Sequence, residues 1–520
     1  MATHKRSRTG CWTCREAGYK CDEQKPFCGR CTRLKIVCKG YGVKLKWLED
    51  AVSTLAKPPR KSRKKKVVVG QEEQAFSPSS IISFASTPAL QSPEGTISSS
   101  TSPQSTKSMP LLPLCSSPEM SYGLSLDNRW LLNYWVDRLS PLISVAPRTG
   151  VPTPFQRHLT AMAYESSALR STILSMAANH LATSSNDSSL YLQGYRHQRD
   201  AIRELQRLIQ DPEDMNLEPA LATVMMMQVS SRLFGDDDEA HVANHLTGAK
   251  AMIARRGNSS GNGARGETWL SSSSARFLTS LFAYHDILSS VSRGSQPLLD
   301  HTTDFFPAIE GEQNLKSIAD VLLFVARISH LQHTIKARRA ASSLSPPLTE
   351  EENTIGGCIQ QALLSMDFTT AASTQPEDEL AKSDITATAE AYRHAAFIYL
   401  YRTWLDIGAP NPISTEHISQ CLLHLQRVDV HSPLTAAHMW PLFTAGCEAV
   451  GESQRAFVRS RFEELWMAKK FPSLRRVARD VEVVWEAKDR ERGVKGEGGM
   501  AKVDCIQVIL RGRGREVGLV

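Results

Sequence analysis

Residues Cys11–Cys38 read CWTCREAGYKCDEQKPFCGRCTRLKIVC, and they hold six of the chain's eleven cysteines at the spacing C-x2-C-x6-C-x6-C-x2-C-x6-C. Adding 17 to Cys11, Cys14 and Cys21 gives Cys28, Cys31 and Cys38, so the stretch is two copies of one three-cysteine unit. A structural zinc ion takes four ligands in a tetrahedron, with each sulfur about 2.3 Å away. Three thiolates close no such site. Six close two only when two sulfurs, one from each copy, are shared between both ions. The pattern predicts a small domain folded around two zinc ions. Six cysteines in a short segment also suit a disulfide framework in a secreted protein. Residues Met1–Gly10, MATHKRSRTG, carry no apolar signal segment, which argues against that compartment. Cys115, Cys358, Cys421, Cys447 and Cys505 are far apart, lack ligand spacing and read as packed or incidental thiols.

Charge is concentrated around the same stretch. Residues 1–66 hold 19 Lys and Arg against 5 Asp and Glu, whereas the remaining 454 residues hold 42 against 49. A compact basic segment beside a near-neutral body is the footprint of a polyanion binder, with phosphate contacts and counterion release supplying much of the affinity.

The cysteine spacing, the flanking KRSRTGCWTC (Lys5–Cys14), KCDE (Lys20–Glu23), Pro26 between the halves and CKGYG after the fifth spacer resemble the DNA-binding domain of the fungal zinc binuclear cluster transcription factors. The resemblance implies that Cys11, Cys14, Cys21, Cys28, Cys31 and Cys38 are the metal ligands, that Cys11 and Cys28 are the shared pair, and that a short helix follows each C-x2-C. It also implies that the first helix enters the major groove of double-stranded DNA at a short G/C-rich half-site. Two positions that are commonly basic in the family are Ala17 and Gly18 here. DNA contacts are therefore expected from Arg15, Lys20, Arg30, Arg33 and the arm of Lys5, Arg6 and Arg8. Gly18 is read as an exposed helical position where lysine would strengthen binding.

Along the chain, residues 1–45 are expected to form the zinc cluster domain. Residues 46–66 carry the end of a short helix over Lys44–Ala56, with Leu45, Leu48, Val52 and Leu55 at a/d-like spacing, and then a basic run. So short a helix, stopped by Pro58 and Pro59, is compatible with a homodimer or a monomer. The run Arg60, Lys61, Arg63, Lys64, Lys65 and Lys66 reads as a signal for a nuclear import receptor. Residues 67–126 are rich in Ser, Thr and Pro without lasting periodicity and are expected to be a disordered linker.

From 127 to 492 the apolar spacing is helical. Leu169, Ile173, Met176, Ala177 and Leu181 form one stripe, Tyr195, Ile202, Leu205 and Ile209 a second, Val242, Leu246, Ala249 and Ile253 a third, and Leu474, Val477, Val481 and Val484 a fourth. The expectation is a large all-α domain. A weak strand pattern lies at Val503–Leu510, inside a basic, Gly-rich tail over 493–520. The helical body resembles, more faintly, the fungal-specific transcription factor domain, through LLNYWVDRLSPLI (Leu131–Ile143), the segments Thr153–Ala182 and Tyr191–Leu205, and HLTGAKAMIARRG (His245–Gly257). This resemblance implies regulation, effector binding or contact with co-regulators.

No enzyme is expected. His241 and His245 at i, i+4 and His330 and His333 at i, i+3 have metal-ligand spacing, but HVANH lacks the glutamate of a zinc protease, and two histidines alone make no site. Met225, Met226 and Met227 read as core rather than as an adaptable pocket. The chain has no apolar stretch long enough for a membrane span. The function expected is a zinc-dependent, sequence-specific regulator of RNA polymerase II genes in a fungal nucleus, controlling a metabolic or secondary-metabolite gene set. The alternative is a zinc-stabilised protein-interaction scaffold with weak, non-specific DNA binding.

Overall fold

The computed structural model describes residues 10–24, 28–38, 124–145, 152–210, 217–235, 245–258, 272–301, 316–341, 346–368, 376–495, 503–513 and 516–519. The chain divides into two compact units, Met1–Met109 and Pro110–Val520. Lys5, Arg6 and Arg8, the helix expected over 44–56, the basic run 60–66, nearly all of the 67–126 linker and His241 lie outside the described residues.

Among the described residues the first unit contains two five-residue helices, α1 (Trp12–Glu16) and α2 (Gly29–Arg33), each starting one residue after a cysteine. Helices this short are unstable alone because nucleation is unfavourable. Their ends are instead fixed by the cysteine cluster described below.

In the second unit every regular element among the described residues is helical. Helix α3 (Leu126–Tyr134) runs through a π turn (Trp135–Leu139) into α4 (Ser140–Ile143), and a second π turn (Phe155–Leu159) leads into α5 (Thr160–Glu165). Then follow α6 (Ser167–Ser185), α7 (Ser188–Gln210), α8 (Leu217–Phe234), α9 (His245–Asn258), α10 (Ser273–Arg293), α11 (Lys316–Ala340) and α12 (Glu350–Leu364). The chain ends with α13 (Pro376–Trp404), α14 (Pro412–Arg427), α15 (Met439–Glu448), α16 (Glu452–Lys469), α17 (Pro472–Lys495) and α18 (Cys505–Arg513). None of the helices among the described residues is long and apolar enough to cross a membrane.

Local signals set the boundaries. Ser166 caps α6 by accepting from Leu169 N, and Asn186 ends it in the left-handed conformation. Thr349 and Glu352 form a reciprocal capping box at the start of α12. Gly294 ends α10 at φ +60.

The core surrounds α13, which packs against α11, α12, α14 and α15 and buries Tyr392, Phe397 and Leu400. Arg402 on α13 donates to both carboxylate oxygens of Glu448 on α15, at 2.8 and 2.7 Å. Lys488 Nζ on α17 donates to the same carboxylate at 2.5 Å and to Cys447 O at 2.8 Å. Three helices are thus joined by one buried charge group.

Two expectations change. Of the stripe Tyr195, Ile202, Leu205 and Ile209, only Leu205 is buried; the others are 58%, 43% and 44% exposed. Helix α7 instead turns Gly194, Ala201 and Leu205 toward α6, where Ser175 Oγ donates to Gly194 O at 2.9 Å. A Cβ on residue 194 would collide with the Asn179 side chain, so close helix approach, not side-chain bulk, selects the buried face. The second change is at the C-terminus. Asp504 Oδ1 accepts from Ile506 N and Gln507 N, capping α18 where a strand was expected. Ile509, Val517 and Leu519 are buried, and Glu516 accepts from Arg232 at 2.6 Å. The helical unit therefore extends past Arg492 into the expected tail. The stripe of α17 is buried as expected, as are Leu169, Ile173, Met176 and Ala177 of the α6 stripe, whose last member Leu181 is half-buried, and Met225, Met226 and Met227.

Candidate metal centre and nucleic-acid interface

The two copies in the cysteine segment repeat in backbone detail. Cys11 and Cys28 occupy the N-cap positions of α1 and α2, and their Sγ atoms accept from Cys14 N at 3.5 Å and Cys31 N at 3.3 Å. At the other ends, Tyr19 N donates to Cys14 O at 2.9 Å, and Ile36 N donates to Cys31 O at 3.1 Å. Between those residues Gly18 and Lys35 have φ +76 and +51. Each helix therefore closes in a Schellman turn, with a left-handed residue just beyond the helix. Gly18 consequently lies past the end of α1, not within it, and the expected lysine substitution would be strained.

The sulfurs converge. Ligand atoms of Cys11, Cys14, Cys21 and Cys28 lie within 4.8 Å of one another, and so do those of Cys11, Cys28, Cys31 and Cys38. Cys11 and Cys28 belong to both quartets. Their sulfurs are 3.6 Å apart, Cys14 and Cys28 are 3.7 Å apart, and Cys11 and Cys31 are 3.9 Å apart. Four sulfurs in a tetrahedron at zinc–sulfur distance stand about 3.8 Å from each other, so the cluster fits the metal. Cys21 Sγ also accepts from Cys11 N at 3.3 Å and from Glu23 N at 3.4 Å. Removal from water pushes the Cys11, Cys28 and Cys31 thiols up from their ordinary value. A cation among them reverses that preference, because the thiolate is the ligand.

Asp22 links the copies by accepting from Gly29 N at 3.0 Å and Arg30 N at 2.9 Å. Desolvation opposes its ionisation, but the N–H groups of Gln24, Arg30 and Gly29 together outweigh it and hold the carboxyl below its ordinary value.

The cations expected at DNA are not equivalent. Arg15, Lys20 and Arg33 are exposed, and Arg15 lies over the Trp12 ring at 4.2 Å. Arg30 is half-buried. Its guanidinium stacks at 3.9 Å on Tyr19 and donates to Cys14 Sγ at 3.8 Å, so it braces the cluster. Lys35 is an exposed cation that the sequence reading did not select; the 17-residue repeat marks it as the counterpart of Gly18.

In the helical unit, a cavity of about 400 Å³ is lined mainly by apolar side chains, among them Phe155, Leu233, Phe277, Met439 and Leu474. Lys469 borders it. Burial pushes this amine down to about 8, and its Nζ donates to Leu142 O at 3.0 Å. The His330 and His333 spacing gathers no third ligand among the described residues. A group absent from the sequence reading, Glu390, His394 and His424, does converge between α13 and α14.

The fungal Zn(2)-Cys(6) binuclear cluster domain matches residues 9–48, and the fungal-specific transcription factor domain matches residues 130–516. The chain belongs to the fungal transcription factor family that these two domains define. It is similar to pestheic acid cluster transcriptional regulator 3 of Pestalotiopsis fici, at 23% identity across 93% of this chain and 95% of that protein. It is also similar to an uncharacterized transcriptional regulatory protein of Schizosaccharomyces pombe, at 26% identity across 92% of each. Arginine metabolism regulation protein II of Saccharomyces cerevisiae is 51% identical over 39 residues, 8% of this chain and 4% of that protein. No solved structure matches the chain. It is a DNA-binding regulator of transcription, and its cluster domain binds zinc.

Proposed function

We propose that this chain is a nuclear, sequence-specific regulator of RNA polymerase II genes whose first unit is folded around two zinc ions. Cys11, Cys14, Cys21 and Cys28 would hold one ion, and Cys11, Cys28, Cys31 and Cys38 the other. The observation that carries this reading is the membership of Cys11 and Cys28 in both sulfur quartets, each at a helix N-cap. Bound zinc supplies charge and rigidity there, holding the two helices at one geometry. Arg15, Lys20, Arg33 and the arm of Lys5, Arg6 and Arg8 would then contact double-stranded DNA, and Arg60–Lys66 would engage an import receptor. Similarity to pestheic acid cluster transcriptional regulator 3 across both chains supports control of a metabolic or secondary-metabolite gene set. The apolar cavity suits a small apolar effector of the helical unit, which would also contact co-regulators. No catalytic role is assigned.

Enrichment of random double-stranded DNA by the zinc-loaded chain tests this reading. Recovery of one short G/C-rich half-site, alone or as a spaced pair, is expected; the pair would identify a homodimer. One observation favours the scaffold reading: Ala17 and Gly18 carry no charge and Arg30 is committed to Tyr19 and Cys14. Failure to enrich any sequence, with zinc bound, would establish that alternative.

A further inference from the structure

Away from the cysteine cluster, two helices of the second unit bring three histidines and a glutamate together. Glu390 and His394 lie one turn apart on α13, and His417 and His424 lie two turns apart on α14. Ligand atoms of Glu390, His394 and His424 fall within 4.8 Å of one another, with His394 Nε2 at 4.0 Å from Glu390 Oε2. His394 Nδ1 is 2.9 Å from His417 Nδ1.

Two observations set this group apart from ordinary packed histidines. First, His424 Nδ1 is buried and makes no hydrogen bond, and the buried Glu390 Oε2 is met at 2.6 Å by Arg393 Nη2. A buried ring nitrogen left in this way is costly. Second, the 2.9 Å contact requires one ring nitrogen to donate and the other to accept. When His394 Nδ1 donates, the lone pair of its Nε2 remains on the side facing Glu390. A hydrogen bond to the far ring nitrogen is how metal-binding imidazoles are oriented.

We propose that Glu390, His394 and His424 form a binding site for a late divalent transition ion, zinc foremost, with His417 orienting His394. Nitrogen and carboxylate donors without sulfur suit zinc, cobalt, nickel or copper better than calcium or magnesium. The histidines are poised as neutral ligands. Burial, then the neighbouring His417 and Arg393, pushes His394 down to about 3; burial, then Arg427 and Arg393, pushes His424 down to about 4. Arg393 is the competing cation. Its Nη2 is 2.6 Å from Glu390 Oε2, while its Nη1 donates to Met366 O at 3.1 Å and its guanidinium lies 5.5 Å from the Phe368 ring. An arriving ion would take the carboxylate from Nη2, leaving the guanidinium anchored at the other two contacts. Three protein ligands leave a fourth position for water, and the ion would tie α13 to α14.

The test is equilibrium dialysis of the full chain against chelator-buffered zinc, read by elemental analysis. Wild type is expected to hold one more zinc than either His424→Gln or Glu390→Gln. A chain carrying Cys11→Ser and Cys28→Ser is expected to keep that one ion. With cobalt, this double variant should show ligand-field absorption without thiolate-to-metal charge transfer, and Glu390→Gln should abolish it. Glu390→Gln preserves side-chain shape, and helical circular dichroism checks that each variant is folded. No zinc on the folded double-cysteine variant at micromolar free ion, or equal zinc on wild type and both site variants, would overturn the assignment.

Discussion

The sulfurs of Cys11 and Cys28 lie 3.6 Å apart, each at the N-cap of one of two helices related by a 17-residue repeat. Helix N-termini favour negative charge, so in the proposed two-zinc arrangement the two shared sulfurs would sit where the backbone already favours thiolate. The same residues therefore start both helices and join both quartets. Removing either should disturb folding and metal binding together.

Gly18 is the next consequence of that repeat. At φ +76 a side chain costs about 1 kcal/mol or more, although nothing lies within 4 Å of a Cβ built there. Gly18→Ala and Gly18→Lys should both lower the thermal stability of the zinc-loaded domain by about that amount. Lys35→Gly, at the matching position, should raise it similarly. A melting series on these three variants checks the pattern.

Arg30 and Arg33 should separate cluster bracing from phosphate contact. Arg33→Ala is expected to weaken binding to all DNA sequences alike and to reduce the salt slope by about one unit. Arg30→Ala, which removes the contacts to Tyr19 and Cys14, should instead increase the rate of zinc loss to a chelator. Binding isotherms at several salt concentrations and chelation kinetics distinguish the two.

In the helical unit, Glu448 faces Arg402 and Lys488 in a fully buried setting. Burial alone would raise its carboxyl, but Lys488 and Arg402 outweigh that and hold it below its ordinary value. Its contribution is therefore present above the ordinary carboxylate range and is lost as pH falls through the depressed value. Glu448→Ala takes the carboxylate from the buried Lys488 ammonium and should cost about 3 to 5 kcal/mol. Denaturant unfolding at neutral and acidic pH is the measurement, with the difference between wild type and variant shrinking in acid.

Import is tested separately. Replacing Arg60, Lys61, Arg63, Lys64, Lys65 and Lys66 with alanine should leave a fluorescent fusion mainly cytoplasmic. Unchanged nuclear accumulation would make the run a solvated or DNA-contacting charge block.

The cysteine ligand pattern was legible because metal coordination fixes ligand count and spacing, and a 17-residue repeat can be read directly. Buried stripes such as Leu169, Ile173 and Met176 were legible because bulk and periodicity agreed. The face of α7 was not, because Gly194 and Ala201 are buried by close helix approach, which hydrophobicity does not encode. The place of Gly18 was not legible, because its helix-stopping role rests on a left-handed backbone and the Tyr19 N to Cys14 O bond, which the absence of a charge at that position does not signal. Glu390, His394 and His424 were missed for a different reason. Their grouping depends on how α13 packs on α14, and a search for neighbouring histidines on one helix finds only one side of it.

The most direct test is the zinc content of residues 1–109, prepared as wild type, Cys11→Ala and Cys38→Ala. Shared ligation by Cys11 and Cys28 requires two zinc ions per wild-type chain, loss of both in Cys11→Ala and retention of one in Cys38→Ala. One zinc per wild-type chain, or one retained by Cys11→Ala, would contradict it.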